Sequence, residues 1–220
     1  MTSCLISCEN ATCAVPEAHR ELFRGSEEIV TSKEGWEPGA LNLAQGFAMR
    51  LRTPLVHGEI TRLIIDLEKV GSACWSRFSS KLPEATRTRL MERHHRNYWT
   101  MLEQRVLEDL RRHETVLHLM VHTDPETQGK IVLQTPAAAS AAEKVAGKWR
   151  QALLNPELDI VHEKAAGISP AAATLKGKIS QAGYAPIVLR VSQNFFLNGQ
   201  PWRWETLKKH LLVTLDVAVK

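Results

Sequence analysis

The feature that most limits the fold of this chain is the alternation of short apolar segments with long amphipathic ones. Strand-like segments lie at 3–8, 115–123, 158–163 and 185–196, and a shorter one at 130–135 has the pattern of an edge strand. Helical spacing of apolar residues lies between them, at 38–54, 83–114, 137–154 and 202–215. This alternation predicts an α/β fold with a mixed, mostly parallel sheet flanked by helices. The length predicts one domain over residues 1–220.

The segment "TRLIIDLEKV" at 61–70 has the strongest strand pattern in the sequence. In a strand its odd-numbered apolar residues would share one face, and Arg62, Asp66 and Glu68 would share the other. Arg62 is then expected either to clamp a substrate carboxylate or to pair with Asp66. The segment therefore predicts a strand with one chemically loaded face.

Composition restricts the partners that this chain can have. A net charge of +4, spread along the sequence, does not favour nucleic acid as a partner. No apolar run approaches the ~18 residues that a membrane helix needs, and the first residues do not resemble a signal peptide. The four cysteines form no CxxC pair, so they are expected to be free thiols, with Cys13 a less favoured metal ligand. The sequence predicts a cytoplasmic protein without a membrane partner.

Polar residues collect at the ends of the predicted strands. Glu9 and Asn10 follow the first strand, and His118, His122 and Asp124 lie on or just after the third. The carboxyl ends of parallel strands meet at one edge of a sheet, where sites are usually found. Two histidines four residues apart have a metal-ligand spacing, although a buried histidine bonded to the backbone is the more common arrangement.

Two further charged residues have more than one interpretation. Glu37 lies just before a predicted helix, where a carboxylate is favoured whether or not it takes part in chemistry. Arg190 lies near the end of the last predicted strand. Neither a GxGxxG motif, a P-loop nor a GxSxG motif occurs, which disfavours dinucleotide, nucleotide and serine-hydrolase functions.

Five motifs, in order along nearly the whole chain, resemble those of the N-formylglutamate amidohydrolase family. They are "CENATCAVP" at 8–16, "GWEPGA" at 35–40, "TRLIIDLEK" at 61–69, "VHTDPE" at 121–126 and "VLRVSQ" at 188–193. The resemblance implies a phosphorylase/hydrolase-like fold related to zinc carboxypeptidases. It also implies a metal-dependent hydrolase that cleaves the amide of a small anionic N-acyl amino acid with Zn²⁺ or another divalent metal.

The resemblance assigns roles to particular residues. It implies metal ligands at Asn10, Glu37 and His122, and a substrate-carboxylate anchor at Arg62. Arg190 lies where the family has a carboxylate that moves a proton. Glu9 and Arg190 are therefore the candidate catalytic positions, and the candidate substrate-binding positions also include the neighbouring pair Glu68 and Lys69.

The chain departs from the family pattern at these positions. Asn10 replaces a histidine, Glu37 an aspartate, and the Glu68-Lys69 pair an Asn-Arg pair. An amide is a poor zinc ligand, and an arginine at position 190 stays protonated and is not a base.

Two functions remain open from the sequence. One is an active amide hydrolase whose metal is held by Glu37, His122 and a further group, Glu9 or Asp124. The other is an inactive relative that binds a small anion or a protein partner through three cations, Arg62, Lys69 and Arg190.

Overall fold

The sheet of this protein has six strands in the order β2-β1-β3-β6-β4-β5. The computed structural model describes residues 2–136, 140–164, 168–180 and 182–219. The strands are β1 (Thr2–Cys8), β2 (Leu55–His57), β3 (Thr115–Asp124), β4 (Lys130–Thr135), β5 (Asp159–Lys164) and β6 (Tyr184–Ser192). All neighbours pair in parallel except β4 and β6, which are antiparallel. The predicted mixed, mostly parallel sheet is therefore confirmed.

Helices cover both faces of this sheet. The α-helices are α1 (Glu27–Thr31), α2 (Ala40–Leu51), α3 (Glu84–Leu90), α4 (Asn97–Leu110), α5 (Ser140–Leu153), α6 (Pro170–Lys178), α7 (Gln193–Leu197) and α8 (Trp204–Val219). Short 3₁₀ helices lie at Glu17–Phe23, Gly71–Cys74 and Ser79–Lys81, and a π-helical turn at Met91–Arg96 joins α3 to α4. No helix within the described ranges is long and apolar enough to cross a membrane.

The core has one layer on each side of the sheet. On one side Phe47 of α2, Trp149 of α5 and Leu211 of α8 are fully buried, and the rings of Phe47 and Trp149 meet edge to face at 5.8 Å. On the other side Leu102 of α4 and Leu175 of α6 pack against the strands. Large apolar side chains buried in this way supply most of the favourable free energy of folding.

The segment 61–70 is not the strand that its sequence predicts. Residues 61–70 form turns and irregular backbone, in which Ile64 N–H donates to Thr61 and Asp66 N–H donates to Cys74. Leu63, Ile64 and Ile65 are all buried, so the apolar residues do not alternate between two faces. They belong to a separate apolar cluster under the loops. Because a continuous apolar run in such a loop has the same composition as a buried strand, the sequence does not distinguish the two.

Two smaller expectations about the strands are wrong, and one strand was not predicted. The 130–135 strand lies inside the sheet between β6 and β5, and β5 forms the edge instead. The short strand β2 escapes sequence analysis because three residues show no period. The last predicted strand ends at Ser192, where the side chain of this residue caps α7.

Gly58 holds the β2 end against the segment that follows β1. A Cβ atom at this residue would lie 2.1 Å from the carbonyl oxygen of Glu9, whereas one at Gly147 in α5 meets nothing within 4 Å. Because backbone cannot move aside as a side chain does, Gly58→Ala should lower the free energy of unfolding by about 2 kcal/mol or more. The control Gly147→Ala should raise it by about 0.5–1 kcal/mol. Urea denaturation measures both, and an unchanged midpoint for Gly58→Ala would contradict the packing.

Candidate active site

The carboxyl ends of β1, β3 and β6 bring the predicted polar residues together. Glu9 and Asn10 follow β1 directly, and His122 on β3 lies beside Arg190 on β6 in the parallel register. The loop before α2 brings in Glu37, whose N–H donates to the carbonyl of Asn10 at 3.0 Å. The sheet therefore gathers these five residues at one edge, as strand order in a parallel sheet requires.

Asn10 connects two carboxylates with its amide nitrogen. Its Nδ2 donates to Oε1 of Glu37 at 3.1 Å and to Oε2 of Glu68 at 2.7 Å. Its Oδ1 is buried and has no hydrogen-bond partner among the described residues. A buried acceptor without a donor costs roughly 1–3 kcal/mol, so this oxygen marks a place where a donor or a cation would stabilise the protein.

His122 lies between the carboxylates of Glu37 and Glu9. Its Nδ1 is 2.9 Å from Oε2 of Glu37, and its Nε2 is 3.2 Å from Oε2 of Glu9 and 3.7 Å from Oε1 of Glu68. Burial lowers the pKa of this imidazole, but the carboxylates of Glu37 and Glu68 outweigh burial and hold the pKa well above its usual value. His122 is therefore an imidazolium that neutralises the acids around it.

Glu9 is buried beneath the site. Its Oε1 accepts hydrogen bonds from the hydroxyls of Ser7 at 2.8 Å and Tyr98 at 2.9 Å. Burial raises the pKa of Glu9, but the neighbouring His122 outweighs burial and lowers the pKa to about 2. Its Oε2 has only the close ionic contact with His122 and receives no hydrogen bond of good geometry. Glu9 is thus a buried carboxylate anion in contact with three neighbours, Ser7, Tyr98 and His122.

His118 belongs to a hydrogen-bond chain that leads to Glu9. Its Nε2 is 2.9 Å from the hydroxyl of Ser7, and its Nδ1 is 2.8 Å from the hydroxyl of Tyr184. Because Ser7 donates to Glu9, it accepts from Nε2–H of His118, which leaves Nδ1 to accept from Tyr184. Burial lowers the pKa of His118 to about 4, so the ring is neutral. His118 is therefore a satisfied buried histidine, with hydroxyl partners in place of a backbone carbonyl.

Arg62 pairs with Glu37 and not with Asp66. Its Nη1 is 3.5 Å from Oε1 of Glu37, its Nε donates to the carbonyl of Glu34 at 2.9 Å, and its Nη2 donates to the carbonyl of Lys33. The turn at 61–69 explains the difference, because Asp66 instead accepts from the backbone N–H of Glu68 at 2.9 Å. Burial, with help from Glu68, raises the pKa of Asp66 to about 6.

Arg190 and Glu68 form a partly exposed pair beside His122. Nη2 of Arg190 is 3.4 Å from Oε1 of Glu68, and its Nε donates to Oε1 of Gln134 at 3.2 Å. A carboxylate at 68 thus faces a guanidinium at 190 across the site. The pair keeps a negative charge within the site although position 190 is cationic.

An open polar cavity of about 370 Å³ lies over these residues. Its walls include Glu37, Arg62, Glu68, Lys69 and Arg190. Lys69 is exposed and has no carboxylate within ion-pair distance among the described residues. The cavity wall therefore carries the ammonium group of Lys69 beside the carboxylates of Glu37 and Glu68.

Asp124 and Cys13 lie away from the centre of the site. Asp124 lines the cavity wall, but its Oδ1 accepts from the N–H of Glu126 at 2.7 Å. Cys13 packs against the apolar cluster that contains Ile64. The third residue that accompanies Glu37 and His122 in the structure is Glu68.

The site has the donor set of a divalent-cation site. One ligand atom from each of Glu37, Glu68 and His122 lies within 4.8 Å of the others. Two carboxylates and an imidazole suit zinc and similar ions, and the orphaned Oδ1 of Asn10 is a further buried oxygen close by. The residues present therefore fit a metal ion. The assignment of Asn10 as a ligand stays a prediction, because its nitrogen faces the two carboxylates.

Sequence analysis missed three residues that shape the site. Ser7 and Tyr98 hold Glu9, and Gln134 holds Arg190. Ser7 had a signal, since it lies two residues before Glu9 next to a predicted strand end. Tyr98 and Gln134 come from a helix and a strand distant in sequence, and no local pattern identifies them.

Comparisons with known proteins agree with this architecture. No protein-family model and no curated protein sequence matches the chain. Among solved structures, the chain has the fold of an α/β protein from Agrobacterium tumefaciens, the gene product Atu2144, with a TM-score of 0.76 at 17% identity over 98% of this chain and 88% of that one. It is also similar to N-formylglutamate amidohydrolase from Ralstonia eutropha JMP134, with a TM-score of 0.69 at 16% identity over 97% of this chain and 92% of that one. The resemblance expected from the motifs is thereby confirmed for the fold.

The pKa of His122 gives a test of the buried charge cluster. A histidine whose pKa is higher in the folded protein than in the unfolded chain contributes to the free energy of unfolding. This contribution is fully present below the unfolded pKa, near 6.5, and is lost as the pH rises through the folded pKa. With chelator present, the free energy of unfolding should fall by up to about 1.4 kcal/mol per pH unit above pH ~6.5.

The matched variant for this test is His122→Gln. It should be less stable than the wild type by about 3–5 kcal/mol near pH 6, because buried carboxylates lose their counter-charge. The difference should shrink as the pH rises. Urea unfolding at several pH values measures both proteins, and parallel pH profiles would contradict an imidazolium at this position.

Proposed function

We propose that this protein is a metal-dependent hydrolase that cleaves the amide bond of a small N-acyl amino acid. The observation that carries the proposal is the meeting of Glu37, Glu68 and His122 at the carboxyl edge of the sheet, where the two glutamates line a polar cavity. A fold shared with an N-formylglutamate amidohydrolase supports the same reaction class.

Three residues would hold the ion, namely Glu37, Glu68 and His122. A divalent ion at this place supplies a Lewis acid for the amide carbonyl and lowers the pKa of water. Since His122 is an imidazolium when no ion is bound, it must give up its proton to become a ligand. Glu9, which accepts hydrogen bonds from Ser7 and Tyr98, lies next to Nε2 of His122 and orients the ring.

The cavity walls favour an anionic substrate. The ammonium of Lys69 lies on the cavity wall without a carboxylate partner among the described residues, so it can bind a substrate carboxylate. Arg62 and Arg190 already contact Glu37 and Glu68, so each has less charge to offer a ligand. For the same reason the alternative function, an inactive protein that binds anions through all three cations, gains no further support.

We also propose a cytoplasmic location for this protein. All four cysteines are free thiols, and Cys8 and Cys74 are buried. Burial raises the pKa of the Cys74 thiol to about 11, which keeps the thiol protonated. Unpaired thiols are typical of proteins in reducing compartments.

Metal content tests the proposal most directly. Protein purified without chelator should contain about one divalent ion per chain by elemental analysis. His122→Ala and Glu68→Gln should lose the ion, while Asp124→Asn should keep it, because Asp124 lies on the cavity wall outside the ligand set. The loaded protein should hydrolyse N-formyl or other N-acyl amino acids and lose this activity with a chelator. Absence of metal after incubation with excess zinc would contradict the proposal.

Lys69 provides a separate test of substrate binding. Lys69→Gln should raise KM for an N-acyl amino acid about tenfold and leave kcat nearly unchanged, because the lost contact is made equally in the ground and transition states. The uncharged carboxamide of the same substrate should show no such effect. Lys144→Gln, on the outer face of α5, removes the same charge as a control. An equal loss for both substrates would contradict a carboxylate contact.

A further inference from the structure

A second and larger cavity lies outside the candidate active site. It measures about 620 Å³ and is formed by part of the 16–19 segment, by Glu59 and Ile60, and by one face of the stretch 82–94. It shares no lining residue with the polar cavity over Glu37 and His122. It is therefore a separate cavity.

The floor of this cavity is apolar. Ile60 and Leu90 are buried at its base, and Pro16 and Leu82 form partly buried walls. An apolar surface inside a concave site favours a ligand with an apolar body, because binding removes both surfaces from water.

The rim of this cavity is mainly cationic. Arg89 and Arg93 face a single carboxylate, Glu59, and neither guanidinium forms an ion pair among the described residues. Nε of Arg89 donates to the carbonyl of Ala85 at 3.3 Å, which leaves its terminal nitrogens free of protein partners in the described chain. Two guanidinium groups at one rim are suited to a carboxylate or phosphate, which they bind through paired hydrogen bonds.

Two imidazoles complete the rim. His19 and His94 lie on its wall, and burial, together with Arg93, lowers the pKa of His94 so that the ring is neutral near pH 7. A neutral imidazole both donates and accepts hydrogen bonds. The rim thus combines fixed positive charge with polar groups that can complement a ligand.

The backbone next to the cavity is unusual. Arg93 and His94 belong to the π-helical turn Met91–Arg96, which contains no buried residue. A π turn holds one residue more than an α turn and occurs frequently at functional sites. It allows Leu90 and Tyr98 both to pack inward while Arg93 and His94 stay on the cavity wall.

We propose that this cavity is a binding site for a small amphipathic anion, an organic acid whose apolar body lies on Ile60 and Leu90 and whose acid group binds Arg89 and Arg93. A smaller cleft of about 50 Å³ continues from Glu59 and Arg93 to Tyr98, whose hydroxyl holds Glu9. The site therefore lies next to the support of the candidate active site without being part of it.

Calorimetric titration with octanoate, octylammonium and acetate tests the ligand class. Octanoate should bind, and both other probes should bind at least about tenfold more weakly, because one has the wrong charge and the other lacks the apolar body. Equal binding of octylammonium, or no binding of octanoate up to about 10 mM, would overturn the proposal.

Variants then locate the site. Arg89→Gln combined with Arg93→Gln should weaken octanoate binding about tenfold or more, and Ala18→Trp should block it by filling the cavity from an exposed position. The control Arg111→Gln with Arg112→Gln removes the same charge from an exposed turn beyond α4 and should leave binding unchanged.

Lys69→Gln separates this site from the candidate active site. It should not change octanoate binding, since Lys69 lines only the polar cavity of the two. Loss of binding in Lys69→Gln, with binding retained in the double arginine variant, would place the anion in the candidate active site and overturn the proposal.

Discussion

The candidate active site depends on one buried imidazolium and the carboxylates around it. Removing an ion from water costs several kcal/mol, and the ionised carboxylates of Glu9 and Glu37 depend chiefly on His122, which lies between them. These contacts tie the end of β3 to the segment after β1 and to the loop before α2. The same charges that hold the loops in place are the groups that a divalent ion would need. Structural stability and the capacity to bind an ion therefore draw on the same few atoms.

Charged residues of opposite sign face each other across the candidate active site. The motifs of the chain differ from those of the family it resembles at positions 68 and 190, where Glu68 and Arg190 now face each other at 3.4 Å. The amide of Asn10 connects Glu68 to Glu37 through two hydrogen bonds. These four residues thus form a connected set of contacts in three dimensions.

Sequence patterns within single segments predicted the features that depend on those segments alone. Apolar periodicity predicts the strand β3 and the helices α2, α5 and α8. The positions of the predicted strand ends place Glu9, Asn10 and His122 at one edge of the sheet. The segment at 61–70 was wrongly predicted as a strand, because burial in a loop and burial in a sheet select the same apolar residues. The contacts of Tyr98 with Glu9, and of Gln134 with Arg190, depend on how distant elements pack, which no segment encodes alone.

The position of β6 has a consequence for how the protein is made. This strand is the last in sequence, yet it lies between β3 and β4, which precede it by many residues. During synthesis the chain therefore exposes two unpaired strand edges until residues 184–192 emerge and insert. Arg190 arrives on this same strand, so the pocket gains its last charged residue only when the sheet closes. The cavity wall is therefore complete only after β6 has inserted, and chaperones that protect open strand edges would act in that interval.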